Sequence, residues 1–206
     1  MNIPISQFKN FTRKIPLGDD HERMACETCD WIHYENPRVI VTAMCVWQNQ
    51  LLLCRRAIAP RYGFWTLPGG FMELGETMED GACREVREEA NAEISADSLS
   101  LLATYTVPQI GQVHMVYLAS LKSADFSAGP ESLDVRLFPL SAEAIPWDDL
   151  AFPVNHWALR DYLSLSSREV GRPFTTRPEH RKERMSPIPH HPDFPPPEFS
   201  SSTNSE

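Results

Sequence analysis

The chain has 206 residues, 42% hydrophobic and 23% charged, a globular mixture that excludes wholesale disorder and allows one main core with attachments. Acids outnumber bases 28 to 19, and the formal net charge of -9 repels polyanions, so a general nucleic-acid binder is not expected. No apolar run nears the roughly 20 residues that cross a bilayer, and the opening Met1-Asn-Ile-Pro-Ile-Ser6 lacks a secretory pattern, so a cytoplasmic protein without membrane contact is expected.

In chain order, the segment 1–36 contains Cys26-Glu-Thr-Cys29, which has metal-knuckle spacing. The other cysteines, Cys45, Cys54 and Cys83, make the total an odd five, and disulfides are not expected as the framework. A compact α/β domain is expected over 37–168. Val39 to Trp47 and Leu51 to Cys54 read as a hairpin joined by Gln48-Asn49-Gln50. A helix is predicted over Met78 to Ala90. Leu101 to Val107, Val113 to Leu121 and Arg136 to Leu140 are further strands, and Val154 to Ser166 is a second helix. The expected fold class is α/β (α+β), a mixed sheet sandwiched between helices. Eight of the 18 prolines lie between Pro173 and Pro197, with few aliphatic residues, so 169–206 is expected to be a disordered tail, either a floppy terminus or a peptide ligand for another protein.

The informative stretch runs from Leu67 to Ala92. Gly69, Gly70 and Gly75 allow close backbone approach, and Thr77 with Asp80 three residues on is a capping-box start for the helix. At 100° per residue, Ala82, Cys83, Val86 and Ala90 share one arc, and Glu85, Glu88 and Glu89 share another. Like charges at i, i+3 and i+4 repel. A hard divalent cation would offset that repulsion, since Mg²⁺ joins carboxylates to substrate phosphates. A solvated acidic face with Arg84 and Arg87 as local partners is the alternative.

Gly70, five residues, Glu76, seven residues, then Arg84-Glu-Val-Arg-Glu-Glu89 resembles the Nudix box of Nudix hydrolases, with Asn91 standing where that family has glycine. Asn tolerates the left-handed turn of a helix end. The likeness extends over most of Pro37 to Leu165. Tyr34-Glu-Asn-Pro37, Cys54-Arg-Arg56, Tyr62 to Pro68, Pro108-Gln-Ile-Gly111 and Gly129-Pro-Glu-Ser132 resemble the bacterial and plant-chloroplast group that includes FAD pyrophosphatases. Pro108 also resembles the downstream proline of ADP-ribose pyrophosphatases, and the aromatic, proline-rich motif of NADH pyrophosphatases is missing.

The resemblance implies a Nudix fold and a Mg²⁺- (or Mn²⁺-) dependent pyrophosphatase acting on a small dinucleotide such as FAD or ADP-ribose, with AMP released. It implies Glu85 and Glu89 as metal ligands with the Gly69 carbonyl and Glu131, and Glu88 as a second-metal ligand or orienter of water. It implies Arg84 and Glu76, beside Gly70, as structural support. Without it Glu131 reads as an exposed loop acid. A nucleotide sensor that regulates a partner is the rival class. Arg55, Arg56 and Arg61 are candidate diphosphate contacts, or in part solvated arginines. Phe64, Trp65 and Tyr105 are candidates to stack on a base, or core residues. In related proteins Cys26 and Cys29 are the second half of a zinc ribbon. The first pair is missing here, so the segment is read as a zinc site completed by His21 and His33, as a metal-free remnant, or as a contact in a homodimer.

Overall fold

A computed structural model describes residues 10–165, 173–177, 180, 190–194 and 196. The chain divides at Pro37/Arg38 into two compact units. In the smaller, β1 (Phe11–Lys14), β2 (Arg23–Cys26) and β3 (Ile32–His33) form an antiparallel sheet in that order. A tight turn follows Cys26, whose carbonyl accepts the Asp30 N–H at 3.1 Å while Asp30 takes a φ of 55°. Lys14 Nζ holds the Asp30 carboxylate at 2.8 Å, and Phe11 packs edge-on to Trp31.

The larger unit contains β4 (Arg38–Trp47), β5 (Gln50–Arg56), β6 (Trp65–Thr66), β7 (Gly69–Phe71), α1 (Met78–Ala90), β8 (Ser100–Val107), β9 (Gln112–Ser120), β10 (Ser132–Pro139), α2 (Pro153–Leu163) and β11 (Phe174–Thr175). Among the described residues these strands make one mixed sheet, ordered β10-β5-β4-β9-β8-β11, with β6 on β5 and β7 on β4. The β4–β5 turn places Gln48 and Asn49 both at positive φ, the conformation that follows strand twist in a two-residue hairpin.

Alternation along the strands divides the core. Val41, Ala43 and Cys45 of β4 and Leu52 and Cys54 of β5 pack with Ala82, Val86 and Ala90 of α1. Met44, Leu51 and Leu53 face the other way, toward Trp157, Ala158 and Leu159 of α2. The short side chains at 82 and 90 let α1 lie close to the sheet, which brings its acidic arc against Gly69 and Gly70 of β7. Among the described residues no helix is long and apolar enough to cross a membrane.

The expected strands and α1 fall within a residue or two of those found, except that the strand expected from Arg136 begins four residues earlier, at Ser132. The tail differs from expectation where it is described. Phe174 and Thr175 pair in parallel with Ala103 and Thr104, and Thr176 Oγ1 accepts the Thr106 N–H at 2.6 Å. Arg177 pairs with the buried Asp161, which also accepts Tyr105 Oη at 2.7 Å, and the His180 ring stacks on Trp157 at 4.5 Å. Aromatic and ionic anchors replace the aliphatic surface whose scarcity suggested disorder. The rest of the expected tail lies outside the described residues.

His114 on β9 gives a prediction for acid stability. Burial alone lowers its imidazole pKa to about 4. Between that value and the ordinary one near 6.5 the unfolded chain binds more protons than the folded one, so stability falls as pH falls through this window, by up to about 3 kcal/mol. His114→Gln, which can keep a hydrogen bond to Gln112, is expected to flatten that part of the profile in urea melts between pH 7 and 4.

Candidate active site

The site is built by three backbone features around α1. Thr77 caps the helix, with its hydroxyl accepting the Asp80 N–H at 3.1 Å, so the first turn begins where the glycine loop ends. Asn91 closes the helix in the left-handed region, φ 46° and ψ 30°, and its side-chain amide donates to the Ser127 and Ala128 carbonyls. This ties the loop carrying Glu131 to the C-terminus of α1. Gly69 and Gly70 lie on β7 against Thr42 and Val41 of β4.

Two of the three glutamates are buried. Glu85 and Glu89 are 8% and 5% exposed, whereas Glu88 is exposed. Arg84 organises them. Its guanidinium takes both Glu76 carboxylate oxygens at 3.0 and 2.9 Å, and donates to Glu85 Oε1 at 2.7 Å, Glu88 Oε2 at 3.0 Å and the Phe71 carbonyl at 3.1 Å. The ion pair and the Glu73 N–H hold the Glu76 carboxyl down at about 2. Glu89 is anchored differently, with Oε2 accepting the Gly69 N–H at 3.3 Å. Burial, then the Glu85 charge, pushes the Glu89 carboxyl up to about 8, and burial raises Glu85 against the pull of Arg84. The Glu131 charge acts on both. Gly70 makes room for this arrangement, since a Cβ there would lie 2.5 Å from Glu85 Oε1.

These residues fit a hard divalent cation. Glu85 and Glu89 are carboxylates one helical turn apart, each anchored through one oxygen, with negative charge buried beyond what Arg84 and Arg56 offset. Their oxygens are spread more widely than a closed cage. Among the described residues the only trio of ligand atoms within 4.8 Å of one another is the surface group Asp19, Asp20 and His21. Zinc does not fit in the same way. The Thr28 and Cys29 N–H groups point at the Cys26 sulfur, as in a knuckle, and lower its pKa. His21 instead lies on Asp20 and His33 packs on Trp31, so among the described residues Cys26 and Cys29 gain no third ligand.

Alternation separates the expected substrate contacts. Arg56 shares the α1 face with Cys54, donates to the Pro60 carbonyl at 2.9 Å, and its charge acts on Glu89 and Glu131. Arg55 points to the opposite face, between the Trp65 ring at 4.5 Å and the Phe194 ring at 4.1 Å. Arg61 is neither a solvated arginine nor placed to meet a diphosphate: it is buried, donates to the Ala151 carbonyl at 3.0 Å and lies over Phe64. Phe64, Trp65 and Tyr105 are 4%, 2% and 0% exposed. They are core residues, and the expectation that they stack on a base is corrected.

Sequence reasoning assigned no role to Gly129. Its N–H donates to the Glu89 carbonyl at 3.0 Å, and a Cβ would collide with the Glu88 carbonyl. Backbone cannot yield as a side-chain tip can. Gly129→Ala is therefore expected to displace the loop bearing Glu131 and to destabilise the fold by about 1–3 kcal/mol, read as a lower urea midpoint.

The NUDIX domain model matches residues 36–158, and a crystal structure of a NUDIX hydrolase from Nitrosomonas europaea is 46% identical, covering 80% of this chain and 92% of that one with a TM-score of 0.71. The chain belongs to the Nudix family. Enzymes of this Nudix hydrolase family generally work with divalent metals. A Nudix N-terminal, zinc-ribbon model matches residues 9–35, so the smaller unit has the ribbon's sequence pattern with half its usual cysteines. An ADP-ribose pyrophosphatase of Methanocaldococcus jannaschii is 30% identical over 112 residues, which are 52% of this chain and 65% of that protein. The NAD-capped RNA hydrolase NudC of Photobacterium profundum is 27% identical over 129 residues, 62% of this chain and 47% of that protein. The chain thus spans about half to two thirds of these curated relatives' length.

Proposed function

We propose that this Nudix chain hydrolyses the diphosphate of a nucleoside diphosphate derivative, with ADP-ribose and FAD as leading substrates and AMP as one product. The observation that carries the reading is the pair Glu85 and Glu89, buried one turn apart beneath a glycine strand that leaves room for their carboxylates. Two carboxyl groups buried side by side, whose ionised forms Arg84 and Arg56 compensate only in part, favour a bound cation over an inert packing role. The ADP-ribose pyrophosphatase name of the Methanocaldococcus relative supports the substrate class.

Glu85, Glu89, Glu131 and the Gly69 carbonyl would hold Mg²⁺ or Mn²⁺. When bound, that ion supplies charge neutralisation on the diphosphate and activation of water. The chain's own groups do the rest. Arg84 keeps Glu85 and Glu88 at fixed positions and secures the glycine loop through Glu76 and the Phe71 carbonyl. Glu88, exposed and held by Arg84, would orient the attacking water. Arg56 supplies positive charge from the strand opposite, facing Glu89 and Glu131.

Release of AMP is the test, measured with Mg²⁺ across ADP-ribose, FAD, NADH, coenzyme A, diadenosine polyphosphates and a NAD-capped RNA. Turnover of ADP-ribose or FAD, with FMN as the second product from FAD, supports the reading. Binding without release would favour a sensor. Preference for the capped RNA would move the substrate class toward that of the Photobacterium relative.

A further inference from the structure

We propose that His191 and Phe194, which lie beyond the stretch 36–158 matched by the family model, are positioning residues that clamp the loop 57–64 and so hold Arg56 at the site; the inference rests on the proposed hydrolysis for its kinetic part only. The loop shapes Arg56 at both ends. The Arg56 N–H donates to the Phe64 carbonyl, the Gly63 N–H donates to the Arg56 carbonyl, and Arg56 Nε donates to the Pro60 carbonyl. Ala57 N–H donates to the Glu131 carbonyl at 2.8 Å, so the same loop also borders the other acidic arm of the site.

The C-terminal segment closes on this loop from outside. His191 N–H donates to the Tyr62 carbonyl at 2.7 Å, and His190 pairs with Tyr62 as a parallel bridge. The His191 ring accepts the Asp193 N–H at Nδ1, which puts its proton on Nε2, and that nitrogen donates to Asp149 Oδ1 at 3.1 Å. It also packs edge-on to Phe64. Gly63, at a φ of 82°, lies so close beneath the segment that a Cβ would be 2.5 Å from Phe194 Cβ and 2.8 Å from His191 Cβ. Phe194 covers the Arg55 guanidinium, whose own Nη1 donates to the Gly63 carbonyl. Apart from the His191 bonds to Asp149 and Asp193, these contacts fall on residues 55 and 62–64. Arg61 and Phe64 bury one end of the loop, residues 58–60 are exposed, and side chains fitted this closely on its outer side restrict its local opening.

Phe194→Ala, His191→Ala and the ring-preserving Phe194→Tyr, each in the full chain, test the assignment by amide hydrogen exchange of residues 57–64 and by steady-state kinetics with ADP-ribose. The alanine variants are expected to exchange these amides at least tenfold faster and to raise KM several-fold with kcat changed less than twofold. Phe194→Tyr should restore both. Unchanged exchange overturns the clamp, and faster exchange with unchanged KM overturns the positioning of Arg56. If the parent chain hydrolyses nothing, the proposed function has failed on its own, and exchange still decides the clamp.

Discussion

Glu89→Gln is expected to lower turnover by on the order of a hundred- to a thousandfold while the protein becomes more stable, not less. The amide keeps the shape of the carboxylate and can still accept from the Gly69 N–H. It removes a charge that is 5% exposed and lies within the field of Glu85 and Glu131. Without a cation, folding must either bury that charge or protonate the carboxyl, and the amide avoids both costs; function and stability trade against each other at such sites. In chelator-treated protein the thermal midpoint should rise by a few degrees. In saturating Mg²⁺ the parent should recover and the variant should not. A variant that loses activity together with its fold would show instead that Glu89 is a structural residue.

The second large effect is expected at Arg84. One planar guanidinium takes both oxygens of Glu76, one oxygen each of Glu85 and Glu88, and the Phe71 carbonyl. Arg84→Gln leaves three carboxylates without their common partner, so the glycine loop and the helix lose their mutual register. Divalent-ion affinity should fall by roughly 10- to 100-fold, the range typical of groups that orient ligands without binding the metal. Arg84→Lys should recover little of this, because a single ammonium cannot bridge Glu76 and Glu85 in the same fork. Titration of each variant with Mn²⁺ measures both expectations; a lysine variant with full affinity would show that charge alone suffices.

Local rules made the helix legible. Thr77, Asp80 and Asn91 mark its ends through their own side chains, and the small apolar arc at 82, 86 and 90 marks its buried face. The acidic arc was legible as a set, but not its division into two buried members and one exposed. That division depends on which side chains lie against the glycine strand, Glu85 beside Gly70 and Glu89 on the Gly69 N–H, which is a tertiary fact. Arg55 and Arg56 teach a different lesson. Both were candidates for the diphosphate, yet adjacent residues of a strand point to opposite faces, so one strand can offer only one of them to the site. The burial of Cys54 beside α1 indicates that it is Arg56. Phe64, Trp65 and Tyr105 could not be assigned from sequence because an aromatic ring suits a core and a base equally well. Gly129 gave a signal only as part of a resemblance, since a missing Cβ shows its purpose when the backbone it would strike is known. The described tail residues were misjudged for a related reason: an ion pair to Asp161 and a ring stacked on Trp157 need very few residues, and composition averages them away.

Calorimetric titration of Mn²⁺ into the intact chain and into the Glu85→Gln/Glu89→Gln double variant tests the central claim most directly. A saturable site in the parent that disappears in a correctly folded double variant is the predicted result. Equal binding by the two proteins, or no binding by the parent even with a non-hydrolysable ADP-ribose analogue present, would contradict it.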